Sequence, residues 1–527
     1  MANRPLSRLL GRLRGGQPAQ DTPPPPAAVE PTIGATSSKK SERRFAAAEE
    51  GRLTASWGRR AGGGDANVQI YADHASLVRK SREQSINSPY AKRFYQLLKQ
   101  NVIGPSGIAY QSRAETGLGD EADRKRRRQY EEDWREWGEF GNCDVTRQHS
   151  MGSFLRLWVE TLARDGEVMV REVRGFPHNK WRYALQIIEC DRLDPNLNSE
   201  HEGRRIRMGV ELDEWEAPVA YWLLADHPGD VQRRSSSEQR YFRVPASELI
   251  HTFDPWRPHQ HRGFPWSHAS MLELHHLDEY RKSEIIAAEI GAKKLGFYEQ
   301  NPDAFDGPPK KGEDPGELHE DLEPGTYQVL PYGVTFKAAP TDHPATNFAP
   351  FIKGALRGAA AGMGPSYNRL AHDLEGVSFS SMRSAELDER DMYKLAQKLV
   401  IERLLHRIGR SRLEMAMIAG LVPGRMSSFE KLAKAAWRPR GWSWVDPTKD
   451  SKAATESLNN RTKSHSKLIR DNGDDPEEVF EEIAADQRRM SELGIERTEE
   501  VSNDKADNGP AGGDNDDDED DDDNGRK

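Results

Sequence analysis

Only two cysteines, Cys143 and Cys190, occur in 527 residues, so no disulfide framework holds this chain and a reducing folding compartment suits it. No apolar run approaches the roughly eighteen residues that a membrane helix requires. The N-terminal MANRPLSRLLGRLRGG is basic, but its apolar stretch is too broken to predict a signal peptide. The G-x-x-x-x-G-K pattern is missing, so hydrolysis of ATP through a phosphate-binding loop is not encoded. Neither C-x-x-C nor H-E-x-x-H occurs, and His251, His259, His261, His268, His275 and His276 therefore read as surface histidines. Ser378–Ser381, His372 and Asp373 lack a nucleophile elbow. These absences leave no catalytic, cofactor-binding or metal-ligating residue to assign.

Strong positive charge is missing too. The net charge is −10, of which residues 501–527 carry −8 and residues 1–60 carry +6, leaving 61–500 at −8. A tight nucleic-acid grip scales with neutralised phosphates, and a mildly acidic body does not favour one. A mean hydropathy of −0.86 fits a soluble chain, and its length allows two to four domains.

Residues 1–64 contain DTPPPPAAVEPTIGATSSKK and read as a disordered arm. Residues 66–100 turn helical, with Pro89 in the first turn of a second helix. NVIGPSGI (101–108) reads as a turn into a strand. EADRKRRRQYEEDWREWGEF predicts a charged helix with Tyr130, Trp134 and Trp137 on one side and its basic run, interspersed with acids, in solvent. VMVREV, YALQII, RIRMGVEL, PVAYWLL and ELIHTF then predict one mainly antiparallel, hairpin-rich sheet in an α+β domain. Residues 267–295 read as a helix of about 43 Å at a 1.5 Å rise. FYEQ, TYQVL and VTFKA follow as short strands, WRPRGWSWVDPTKD as an anchored strand or turn carrying Trp437, Trp442 and Trp444, and 451–492 as helices parted by DNGDDP.

The chain is organised around residues 346–421. Its first helix carries Gly354, Gly358 and Gly362 beside Ala355 and Ala359. Each glycine costs a helix about 0.5–1 kcal/mol, a choice that makes sense where another helix must come close. SYNRLAHDLEGVSFSSM, with no helical period, reads as a water-facing loop over 367–382. The long helix after it carries Met392, Leu395 and Leu399, then Ile401, Leu404, Leu405 and Ile408 on the nearly opposite side. That pattern predicts either a kink near Val400 or burial by different partners along its length.

The order of small-residue helix, G-x-G-P, Tyr, Asp, V-S-F-S-S-x-R-S-A and long helix resembles the portal proteins of tailed bacteriophages, lambda type. SREQSINSPYAKRF (81–94), NVIGPSGI, DGEVMVR (165–171), IIECDRLD (187–194), GVELDEWEAPVAYWLL (209–224), ELIHTF (248–253), HRGFPW (261–266) and WVDPTKD (444–450) extend the resemblance over roughly 65–480. It implies a wing at 65–265, stem helices at 266–295 and 346–364 that flank a clip at 296–345, and a channel loop at 365–382. A long wing helix (383–421), a crown (422–495) and an acidic tail (496–527) complete the expectation. The chain would be a non-enzymatic subunit of a closed ring of about twelve, without cofactors, metals or membrane contact. Double-stranded DNA would pass through that ring, with the terminase large subunit, the major capsid protein and a head–tail connector protein as partners. Tyr367, Asn368, Arg369, His372, Asp373, Glu375, Ser378, Ser380 and Ser381 would face the DNA, and Gly354, Gly358 and Gly362 would pack helices closely. The competing reading is a Mg²⁺-dependent nuclease that uses Asp373 and Glu375.

Positions 514–523 are acidic at nine of ten and contribute no apolar surface. Deleting them is expected to leave folding and ring formation unchanged by circular dichroism and light scattering; loss of the ring would make the tail structural.

Overall fold

A computed structural model describes residues 65–230, 241–292, 296–300, 334–338, 348–442 and 447–494. Two helices open it, α1 (Ala66–Asn87) and α2 (Pro89–Leu98). Asp65 caps α1 by accepting from the Asn67 amide at 3.1 Å, and Ser88–Pro89 parts the helices because proline fits a first turn but not an interior. From α2 the chain widens into one π-type turn (Lys99–Ile103) that stops at Gly104, φ 74°. The segment expected to begin as a turn is therefore helical as far as Ile103. Strand β1 (Ala109–Ser112), helix α3 (Asp120–Trp137) and helix α4 (Met151–Asp165) follow. As expected, Tyr130, Trp134 and Trp137 form the buried side of α3.

The strand region holds β2 (Glu167–Arg174), β3 (Tyr183–Ile188), β4 (Ser199–His201), β5 (Arg204–Arg207), β6 (Val210–Leu212), β7 (Pro218–Leu224), β8 (Tyr241–Pro245) and β9 (Leu249–Phe253). Every pairing is antiparallel, but the strands make two sheets rather than one: β3-β2-β9 and β4-β5-β6-β7-β8. RIRMGVEL, expected as a single strand, is a hairpin. Arg207 pairs with Val210 across Met208 and Gly209, at φ 47° and 83°. Two positive φ values in a two-residue loop match the twist of the strands they join.

Helix α5 (Met271–Ala292) starts four residues later than expected. Strands β10 (Gly296–Gln300) and β11 (Val334–Ala338) pair antiparallel, whereas TYQVL lies outside the described residues, as do the N-terminal arm and the acidic tail. Helices α6 (Phe348–Met363), α7 (Tyr367–Ala371), α8 (Phe379–Val400), α9 (His406–Ile418) and α10 (Phe429–Leu432) lead to β12 (Ala435–Arg438). Helices α11 (Pro447–Asn459), α12 (His465–Asn472) and α13 (Pro476–Glu492) close the described chain. β12 pairs with β1, setting Trp437 opposite Tyr110 and against Trp134, with ring centroids 5.1 Å apart. That is the anchored strand expected here, with Trp437 in it and Trp442 beyond its end; Trp444 lies outside the described residues.

Between α8 and α9 the helix widens into a π turn, Ile401–Leu405, directly after Val400. Buried positions run Glu389, Tyr393, Gln397, Val400, Leu404 and Ile408, nineteen residues in five steps. Five α-helical turns hold about eighteen residues, so the π turn takes up the extra one and keeps a single face inward. The buried stripe therefore passes through Tyr393 and Gln397, while Leu395 is 71% exposed.

Glu167, the first residue of β2, is fully buried at 0% exposure. Arg262 grips its two oxygens at 2.8 and 2.9 Å, the Gly263 amide donates at 3.0 Å, and His251 and His74 approach to 3.1 and 3.3 Å. The turn that brings Arg262 there packs its backbone onto Gly166. A Cβ on Gly166 would sit 2.0 Å from Phe264 C, and one on Gly263 would sit 2.1 Å from Gly166 O. His251 and His261, read as surface residues, are thus buried instead, because the turn folds over the sheet rather than into solvent.

Burial by itself would raise the Glu167 pKa, but Arg262 and the two histidines outweigh it and hold the carboxyl well below its usual range. The stabilisation is therefore complete above the unfolded carboxylate pKa and is lost as pH falls through the folded one. Glu167→Gln or Arg262→Met is expected to cost about 3–5 kcal/mol at neutral pH, since each strands a buried partner. In urea unfolding series, the deficit of Glu167→Gln should shrink as pH drops below about 4.5, the ordinary glutamate value.

Candidate functional site

Helix α6 buries Leu356, Ala359, Ala360 and Met363 along one stripe. It lies antiparallel to α5, because rising numbers on one meet falling numbers on the other. Phe351 packs on Tyr280 (4.8 Å between centroids), Gly358 on Glu273 and Gly362 on Ser270. A Cβ at Gly358 would stand 2.6 Å from the Glu273 carboxylate, and one at Gly362 would stand 2.3 Å from Ser270 Oγ. The buried Ser270 hydroxyl donates to the Ala359 carbonyl at 2.8 Å, across the gap that Gly362 leaves. Gly354 differs, with nothing within 4 Å of its Cβ position among the described residues. It opens on a groove of about 680 Å³ whose walls include Leu272, His276, Phe351 and Ala355. Leu272 is 67% exposed and Phe351 is 54% exposed.

The segment expected as a loop over 367–382 is shorter than that. Tyr367, Asn368 and Arg369 lie in α7, while Ser380 and Ser381 lie in the first turn of α8, which Ser378 caps by accepting from the Ser381 amide at 3.2 Å. The non-helical part spans 372–378, with His372 and Gly376 in the left-handed region at φ 56° and 70°. Leu370, buried at 1% exposure, pins α7 to the core and explains why polar composition did not keep this stretch extended.

Arg369, expected to face DNA, turns to α8 instead. It meets Glu386 at 3.0 Å and the buried Glu389 at 3.6 Å, and Arg93 donates to its carbonyl at 3.3 Å. The Tyr367 hydroxyl donates to Asp373 at 2.6 Å, and burial followed by that carboxylate pushes the phenol up to about 12. Asp373 is held below its ordinary pKa, first by the Tyr367 bond, then by the Glu375 amide, then by Lys353. Lys353 of α6 lies 3.5 Å from Asp373 and 3.6 Å from Glu375, so the two carboxylates proposed for a metal share a protein cation. Among the described residues no group of His, Cys, Asp or Glu is arranged to hold a metal ion, and no helix is long and apolar enough to cross a membrane. His372, Leu374 and Glu375 remain at the exposed tip.

The described chain is a mixed helix-and-sheet body with a tightly packed antiparallel helix pair and a short polar tip beside it. The model described as "Phage portal protein, lambda family" matches residues 50–397, and the chain belongs to the lambda family of phage portal proteins. It is 52% identical over 452 residues to the "Probable portal protein" of Halomonas phage phiHAP-1, covering 85% of this chain and 87% of that one. "Portal protein B" of Escherichia phage lambda is 22% identical over 75% of this chain and 80% of its own. Among solved structures, a chain of the "Neck of native GTA particle computed with C12 symmetry" superposes with a TM-score of 0.44 at 12% identity, over 77% of this chain and 94% of that one.

The glycines separate by environment. Gly354→Ala should stabilise the isolated subunit by about 0.5–1 kcal/mol, the ordinary helix gain. Gly362→Ala should cost about 1–3 kcal/mol, because its methyl displaces the buried Ser270 hydroxyl. Urea midpoints at one fixed protein concentration check both signs.

Proposed function

We propose that this portal protein assembles as a closed ring of about twelve copies at one capsid vertex and that double-stranded DNA passes along its axis. The observation that carries this is family membership over most of the chain, joined to apolar surface that one subunit leaves uncovered. Leu272 and Phe351 flank the open groove at Gly354, and Ile285 and Ile286 on α5 are 63% and 54% exposed. A closed ring needs two different complementary surfaces on each subunit, and burying such side chains favours assembly at roughly 25 cal/mol per Å². In this reading residues 65–265 are the wing, α5 and α6 the stem, 296–345 the clip and 422–495 the crown. The terminase large subunit, the head–tail connector protein and the major capsid protein would be its partners.

The tip at 372–378 is the part of the 365–382 segment that fits a channel loop. His372 would meet phosphates briefly, and Glu375 would keep the contact weak, which suits a duplex that must slide. Arg369 acts from behind, holding α7 to α8.

Two experiments test this. Light scattering should give a ring-sized mass for the wild type and a monomer for Leu272→Asp/Phe351→Asp, with unchanged circular dichroism. A wild type that stays monomeric at micromolar concentration over a range of salt sinks the ring. In packaging assays His372→Ala/Glu375→Gln should form intact rings that package or retain DNA abnormally. Normal packaging and retention would remove the tip from the channel.

A further inference from the structure

The cavity between α8, the β1–β12 pair and α12 has a volume of about 710 Å³ and serves none of the roles above. Arg113, Arg390, Lys394, Arg438, Arg440 and Arg470 line it, against Asp391 and Asp471. Both acids already have partners, Lys394 at 2.8 Å and Lys463 at 3.2 Å. Arg390 reaches Glu386 at 3.1 Å, and Arg438 reaches Asp475 at 3.4 Å. For Arg113, Arg440 and Arg470, no carboxylate lies within 4.0 Å among the described residues. Arg113 donates to Gln111 Oε1 at 2.9 Å and Arg440 to Asn101 Oδ1 at 3.0 Å, both neutral acceptors. Among the described residues the cavity therefore carries positive charge that no carboxylate pairs with.

One further observation points to an anion. Arg440 feels the charge excess, since burial and then the charges of Arg369 and Arg390 hold its pKa below the ordinary arginine value. Guanidinium forks match the paired oxygens of a phosphate, and several of them around one cavity add charge to that fit.

We propose that this cavity binds a phosphate oxyanion, supplied either by a nucleic-acid backbone or by free phosphate. The site is read from one subunit and does not depend on the ring; it is scored by binding, whereas the ring is scored by mass.

The test uses the full chain, with inorganic phosphate as one probe and a fluorescein-labelled 20-base-pair duplex as the other. Arg113→Gln/Arg470→Gln is the variant of choice, because neither side chain makes an ion pair among the described residues; circular dichroism verifies its fold. Phosphate should raise the wild-type melting temperature above that in chloride of equal ionic strength. The variant should bind both probes about tenfold more weakly, and its salt dependence for the duplex should flatten by about two units of log–log slope. Binding of phosphate alone assigns the site to the free ion, and binding of both probes assigns it to backbone phosphates. Equal binding by wild type and variant overturns the proposal, as does a wild type that binds neither probe. Binding that emerges only after deletion of residues 514–523 also overturns it, by showing that the chain's own carboxylates fill the cavity.

Discussion

A carboxylate with no access to water constrains most of the sheet-bearing region. Glu167 cannot be left alone there, because an unpaired buried charge costs several kcal/mol. Its partners come from α1 (His74), β9 (His251) and the turn before α5 (Arg262). Arg262 in turn donates to the carbonyls of Leu193, Met208 and Cys190, so the five-stranded sheet is tied to the same guanidinium. Beside it Asp165 accepts from Arg82 at 2.9 Å and Arg164 at 2.8 Å, repeating the device at the end of α4. Elements that share one set of charges must arrive together. Gly166 and Gly263 permit this by removing the only atoms that would keep the two backbones apart.

The helical half obeys a different constraint, the need to keep one face buried over a long span. In α8 and α9 a single π turn supplies the missing residue of register. In α5 and α6 glycine supplies closeness, since Gly358 and Gly362 let Glu273 and Ser270 lie against bare backbone. Gly354 has the same sequence appearance and no such neighbour. Among the described residues it is a helix position that carries a cost and meets no neighbour, and in the proposed ring the open groove beside it is surface for a second copy.

Much of this was legible from residue order. Local signals, each arising within a few residues, marked α1, α2 and α3, the five main strand segments, the anchored Trp437 strand and the discontinuity at Val400. Other features were hidden. Met208 at a positive φ gives no local warning, so one expected strand became a hairpin. α7 was missed because Leu370 is its one fully buried residue, and one buried leucine in five residues leaves no period to read. His251 and His261 read as surface residues because nothing nearby in the chain says that Glu167 will be buried beside His251 or that Asn67, nearly two hundred residues away, will accept from the His261 amide.

Residue order by itself determined the α+β class, the positions of the long helices, the absence of known catalytic motifs and the resemblance that family membership bears out. These rest on periodicity and turn chemistry, which act over a few residues. Charge partnership was decided only by the folded chain. Arg369 joins Glu386 and Glu389, Asp373 and Glu375 share Lys353, and Arg113, Arg440 and Arg470 line one cavity with no carboxylate within 4.0 Å among the described residues. Electrostatic energy depends on distance and burial, and both are fixed only when separate segments of the chain pack together.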